Sequence, residues 1–293
     1  MPNNATRARH PFVRYVVPFA PLALALSMNV TPQITVRSPQ SETTPSAQTG
    51  IEGFAQSCSN PHFPTDVPTA MDTTSCGISG NGGAETWQNE AKNNFCAPDP
   101  PKPITIPEMV GLQLKVQQDQ NIPFGNNRNH PLTSKSGPLK DRAPLVALGE
   151  GSQVSLQGYV RIARQEGAES VNCGAHVPDD PVYHDIHISI VQNGSDEECS
   201  GVVVEMTPHH RPAEWNEATV QAVAKAGLLV RVTGQLMFDS SHTPCVNGTS
   251  IKGDPARASL WEIHPISRFD VCPQGPCTSE GGWVPLEAWK KSS

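Results

Sequence analysis

The chain has 293 residues, 37 per cent of them apolar, with 29 prolines, 23 glycines and a formal charge of −7. This composition argues against a helical bundle and for a loop-rich β protein with one modest core. No basic stripe of the kind a nucleic-acid backbone demands is visible, so plain nucleic-acid binding is set aside.

Residues 1–28 carry Arg7, Arg9 and Arg14, no acid, and the apolar run YVVPFAPLALALSM. Pro18 and Pro21 interrupt a run already short of the roughly 20 residues a spanning helix needs. The segment reads as an export signal, with an uncleaved membrane anchor as the alternative. Its removal takes three arginines and lowers the charge from −7 to −10. Residues 29–57 are rich in Thr, Ser, Pro and Gln and poor in apolar side chains, which predicts a disordered tether.

Residues 58–150 read as an irregular, cysteine-containing segment with short helices predicted over 84–93 and 107–118, the latter placing Met109, Leu112 and Val116 near one face. The chain's eight cysteines show no Cys-x-x-Cys pair, which fits disulfides in an oxidising compartment better than structural zinc. Three (Cys58, Cys76, Cys96) precede the β region and five (Cys173, Cys199, Cys245, Cys272, Cys277) lie in or after it. Both counts are odd, so full pairing predicts at least one bond between the two groups.

The pattern changes within 151–272. Val154, Leu156, Gly158, Val160 and Ile162 alternate with polar residues and predict a first strand; Ile186, Ile188 and Ile190 alternate against Asp185, His187 and Ser189 for a second; GVVVEM, 201–206, gives a third. Pro212 opens a predicted helix through Ala226, burying Trp215, Ala222 and Val223 and stopped by Gly227. Residues 228–238 make a fourth strand and SLWEIHPI, 259–266, a fifth. The order of three strands, a helix and two strands is that of an OB-fold, a five-stranded Greek-key barrel, with a small β-sandwich as its rival. The fold class is therefore mainly β: an OB-like barrel preceded by an irregular, disulfide-tied segment. Residues 273–293 form a tail whose Trp283 and Trp289 are expected to cover the barrel surface.

In that barrel, antiparallel pairing of the second and third strands brings Glu205 to Asp185 and His187, and parallel pairing of the third and fifth brings Glu262 and His264 to the same place. The isoleucines need the core, so parity sends these five polar groups to the opposite face. Such a set suits three uses. With Asp185, His187, Glu262 and His264 as ligands and Glu205 as general base, it is the centre of a metal-dependent hydrolase, plausibly for phosphoesters, with a divalent ion such as zinc as cofactor. Without metal, a carboxylate sets a histidine tautomer for proton transfer. Third, a satisfied hydrogen-bond network pins strand register. Asp239 and His242 in MFDSSH are secondary candidates, read first as an exposed turn; His209, beside His210 and Arg211, is another, read first as part of a solvated loop with anion binding at the helix start as the functional alternative.

On these residues the chain resembles a group of exported bacterial proteins whose activity is not established. The shared pattern runs Asp-x-His, an apolar strand ending in Glu and Pro, Gly-x-x-Phe-x-Asp-x-x-His and Glu-x-His-Pro. The matching residues are Asp185 and His187; Glu205 and Pro208; Gly234, Phe238, Asp239 and His242; and Glu262, His264 and Pro265. Here the Gly-to-Phe spacing is one residue longer, and a Trp-containing helical insert replaces a variable segment. The resemblance spans 153–272 and implies an exported OB-like domain. The leading expectation is an exported, disulfide-stabilised binding or structural module for a small ligand, glycan or protein, with the hydrolase as alternative and membrane contact only through an uncleaved N-terminus. Asn193-Gly-Ser and Asn247-Gly-Thr are glycosylation acceptors in form.

Overall fold

A computed structural model describes residues 80, 86–97, 100–118, 142–167, 169–172, 183–239, 242–250, 254–278 and 281–290. The predicted export signal, the predicted tether, Cys58, Cys76 and Cys173 lie outside the described residues. In chain order the elements are α1 (Thr86–Lys92), β1 (Lys102–Ile104), α2 (Ile106–Gln118), α3 (Ala143–Val146), β2 (Gln153–Gln165), β3 (Ile186–Val191), β4 (Val202–Met206), α4 (Glu217–Lys225), β5 (Leu229–Phe238), β6 (Trp261–Cys272) and β7 (Val284–Pro285).

The barrel runs β2-β3-β4-β6-β5 and closes by pairing of β5 with β2. Only the β4–β6 contact within it is parallel, at Val204 opposite Ile263. This is the five-stranded topology that the order of elements predicts, with α4 between the third and fourth barrel strands. The long β2 makes closure possible: its first half pairs with β5 and its second half with β3, with a register shift between Val160 and Ile162 where the strand turns from one neighbour to the other. The barrel interior takes Ile186, Ile188, Ile190, Val202, Val204, Trp261 and Ile263 among others.

Two boundaries differ from the sequence reading. The helix begins at Glu217, because Asn216 caps it with its side-chain oxygen on Thr219 N at 2.9 Å, while the preceding Trp215 turns into the core. It buries Val220 and Val223, whereas Ala222 is only half-buried. The fifth barrel strand continues to Cys272 rather than ending at Ile266, through an exposed step at Ser267 and Arg268. Alternation breaks there because the β5–β6 register shifts on either side of Gly234. The backbones come so close at this point that a Cβ on Gly234 would lie 2.3 Å from the Pro265 carbonyl oxygen and 2.7 Å from Ile266 Cα.

Disulfides join Cys199 to Cys245 and Cys272 to Cys277. Cys96 is disulfide-bonded too. In the tail, β7 pairs with β6, Trp289 packs on the core, and Arg231 lies 4.7 Å over the Trp283 ring. Among the described residues no helix is long and apolar enough to cross a membrane.

Replacing Gly234 by alanine forces apart two backbones that cannot yield cheaply. Gly234→Ala is expected to lower unfolding free energy by about 1–3 kcal/mol or more in urea denaturation. An unchanged midpoint would contradict the close approach of β5 to β6.

Candidate functional site

The strand registers place the acids and imidazoles as the alternation requires. His187 stands directly opposite Glu205 across β3 and β4, and Glu262 and His264 flank Ile263, whose parallel partner is Val204. All four point away from the barrel interior, and Asp185, just before β3, joins them.

The face opposite the barrel interior is itself covered. Asp185, Glu205, Asp239, Glu262 and His264 are fully buried and His187 is 1 per cent exposed. The cause is a cover that periodicity does not reveal. Helix α1 lies over the face, fixed by Gln235, whose side-chain amide donates to the carbonyls of Ala91 at 2.8 Å and His264 at 2.7 Å. Ala91 packs on Met237 in a small apolar cluster beside the polar one.

Glu205 is the hub. Its Oε2 lies 2.7 Å from His264 Nδ1, 3.3 Å from His187 Nε2 and 4.0 Å from Lys92 Nζ. Its Oε1 has no hydrogen-bond partner. On one side, His264 Nδ1 also approaches Glu262 Oε1 at 3.3 Å, and Arg257 Nη1 holds Glu262 Oε2 at 3.0 Å. Asp239 completes that side, 3.8 Å from both Lys92 and Arg257 and in contact with His242 Nδ1. On the other, His187 Nδ1 faces the Asp254 carbonyl at 3.2 Å and Glu166 Oε1 at 3.4 Å, and its Nε2 lies 4.0 Å from Glu169. Both oxygens of Asp185 and Nε2 of both His187 and His264 lack a hydrogen-bond partner.

Two secondary candidates therefore move from the turn reading into the cluster. The Asp239–His242 turn is not solvated: the Asp239 side chain is fully buried and that of His242 only 16 per cent exposed. The Arg142–Glu150 ion pair beneath the end of β5 fixes the approach to it, with Arg142 Nη2 donating to the Phe238 carbonyl at 2.6 Å and Glu150 accepting from Phe238 N at 2.9 Å. His209 is likewise buried rather than solvated, on a short turn where its N–H donates to the Thr207 hydroxyl at 3.0 Å. His264 and Arg211 act on it electrostatically.

Lys92, Arg257, Glu166 and Glu169 are members that sequence reasoning does not find. Lys92 sits on a helix more than a hundred residues from Glu205, and Arg257 precedes its strand; no periodic signal marks either.

Burial and charge pull against each other throughout. Burial would push the Glu205 carboxyl up, but His187, His264 and Lys92 hold it well below the ordinary range. Asp239 is held low in the same way, against burial, by Lys92 and His242. Burial would lower both imidazoles, yet Glu205 raises His187 to about 9, and Glu205 with Glu262 raises His264 to about 10. Burial raises Asp185 to about 6 and, helped by the charges of Glu205 and Asp239, Glu262 to about 7. His209 falls to about 3 through burial, His264 and Arg211.

No family model, no curated protein and no solved structure matches the chain.

The ion-free protein should lose stability both in acid and toward alkaline pH. His187 and His264 are raised from 6.5, so their contribution is complete below that pH and is lost as pH rises through about 9 and 10. Asp185 and Glu262 are also raised, from 3.8 and 4.5, and what they contribute in protonated form is lost through about 6 and 7. Glu205 and Asp239 are lowered, so theirs is present above 4.5 and lost in acid. Chelator-treated protein is expected to be most stable near pH 4.5–6 and to weaken steadily toward pH 10 in thermal unfolding. Maximal stability at alkaline pH would contradict this ionisation pattern.

Proposed function

We propose that the chain is an exported, disulfide-stabilised binding module whose barrel face holds a divalent cation between Asp185, His187, Glu205 and His264. One observation carries this reading: these side chains are buried together, and both oxygens of Asp185, Oε1 of Glu205 and Nε2 of His264 have no hydrogen-bond partner. Buried polar atoms in a purely structural network are normally paired, and an unpaired buried carboxylate is expensive. A cation supplies the missing partner. Imidazole nitrogen combined with carboxylate oxygen suits zinc or manganese better than a thiolate-seeking or an all-oxygen ion.

Export is supported by the charged and apolar stretch of residues 1–28, by disulfides proper to an oxidising compartment and by the resemblance to exported bacterial proteins. A small ligand, glycan or protein would reach the centre from the side of His187, where Glu166 and Glu169 are 22 and 29 per cent exposed.

That opening also favours a second reading, a metal-dependent hydrolase of phosphoesters. In it Glu205, enclosed between two imidazoles and held ionised, acts as ligand. The general base is then Glu166, whose carboxyl is raised by burial and which touches both His187 and the solvent side.

Elemental analysis of the purified protein is expected to find at least one equivalent of a divalent metal. The double variant His187→Ala, His264→Ala should lose it while retaining the barrel's circular dichroism. Metal-free wild-type protein whose melting temperature ignores added zinc, manganese or chelator would sink the cation reading. Metal content with no phosphodiester or phosphomonoester turnover would leave the binding module and remove the hydrolase.

A further inference from the structure

Three acid-rich groups overlap in the buried cluster, and in each the potential ligand atoms lie within 4.8 Å of one another: Glu169 with Asp185 and His187; Asp185 with Glu205 and His264; and Glu205 with Asp239 and Glu262. They are not equivalent. The third is already served by side-chain cations, since Lys92 and Arg257 both approach Asp239 at 3.8 Å and Arg257 pairs with Glu262 at 3.0 Å. In the first two the cation is more distant, Lys92 lying 4.0 Å from Glu205, and both oxygens of Asp185, Oε1 of Glu205 and Nε2 of His264 have no hydrogen-bond partner.

We infer that the centre holds two divalent cations, one between Glu169, Asp185 and His187 and one between Asp185, Glu205 and His264, with the Asp185 carboxylate bridging them. This rests on the cation-binding reading and extends it from one ion to a pair.

Two features bear on the second ion. The first is the position of Asp185: it is common to both groups, fully buried, and neither of its oxygens is claimed by a protein donor, so each oxygen is free for a different ion. The second is charge. Six carboxylates meet here (Glu166, Glu169, Asp185, Glu205, Asp239, Glu262), and within ion-pair distance the permanent cations among the described residues are Lys92 and Arg257. With neutral imidazoles, as ligands must be, four negative charges remain; Arg211, acting on Asp185 at longer range, reduces this to three. A single divalent ion leaves one negative charge and two leave one positive, so charge permits the second ion and the position of Asp185 calls for it.

A carboxylate-bridged ion pair is suited to a ligand that offers two oxygens to two metals at once, such as a phosphate or phosphoester group. Half-exposed Glu166 and Glu169 mark the side from which it would arrive.

The test is metal stoichiometry on the full folded chain, loaded with manganese or zinc and freed of loosely held ions by gel filtration, together with anomalous diffraction. Two ions per chain are expected, as two peaks on either side of Asp185. The variant Glu169→Gln, at a position 29 per cent exposed, should keep one ion, and Asp185→Asn should lose at least one; unchanged circular dichroism confirms that each is folded. A single ion in the wild type overturns the pair and leaves the cation reading intact. No ion overturns both, and two ions in Glu169→Gln overturn the assignment of the first position.

Discussion

A carboxylate such as that of Glu205, taken out of water beneath a helix, costs several kcal/mol unless opposite charge meets it. Much of what surrounds the barrel's outer face follows from that constraint. Strand pairing alone sets Glu205 against His187, and the parallel contact of β4 with β6 adds His264. Those imidazoles soften the cost only by taking protons or by sharing a cation. Lys92 and Arg257, supplied by segments outside the barrel strands, neutralise one end of the cluster. At the other end Arg211 acts on Asp185 from longer range, and both Asp185 oxygens have no hydrogen-bond partner.

The barrel is a rigid frame for this arrangement, while the covering segments decide its chemistry. Gln235 reaches from β5 to two carbonyls, one on α1 and one on β6, so the helix that carries Lys92 is tied to the strand that carries His264. The buried Arg142–Glu150 pair does the same for the end of β5, fixing the chain just before Asp239. The Cys199–Cys245 disulfide anchors the segment beyond His242 to the loop entering β4. Cross-links of this kind hold a charged centre through the large backbone entropy that loops would otherwise keep. They also suit an oxidising environment, where the bonds persist.

The barrel was legible in the sequence because period-two alternation is a local signal, and Ile186, Ile188 and Ile190 against His187 and Ser189 leave little choice of face. The convergence of Asp185, His187, Glu205, Glu262 and His264 followed from parity and the order of strands. The cover was not legible. Nothing in the spacing of TWQNEAK says that its lysine docks on a sheet far along the chain, and a polar sheet face looks solvated until the segment that buries it is placed. The same blindness made Asp239 and His242 look like an ordinary turn and His209 like a loop residue. The extension of β6 to Cys272 was hidden for a different reason: the shift in register at Gly234 breaks alternation in the middle of the strand, so its second half reads as a separate segment.

The account depends on the buried carboxylates drawing their missing positive charge from bound cations. Chemical denaturation in a series of zinc or manganese buffers near neutral pH measures that dependence directly. Unfolding free energy should rise with the logarithm of free ion concentration, by about 1.4 kcal/mol per tenfold increase for each ion held once the sites are filling. A stability that stays flat across the whole series would show that protons and side chains satisfy the cluster unaided, and would contradict the account.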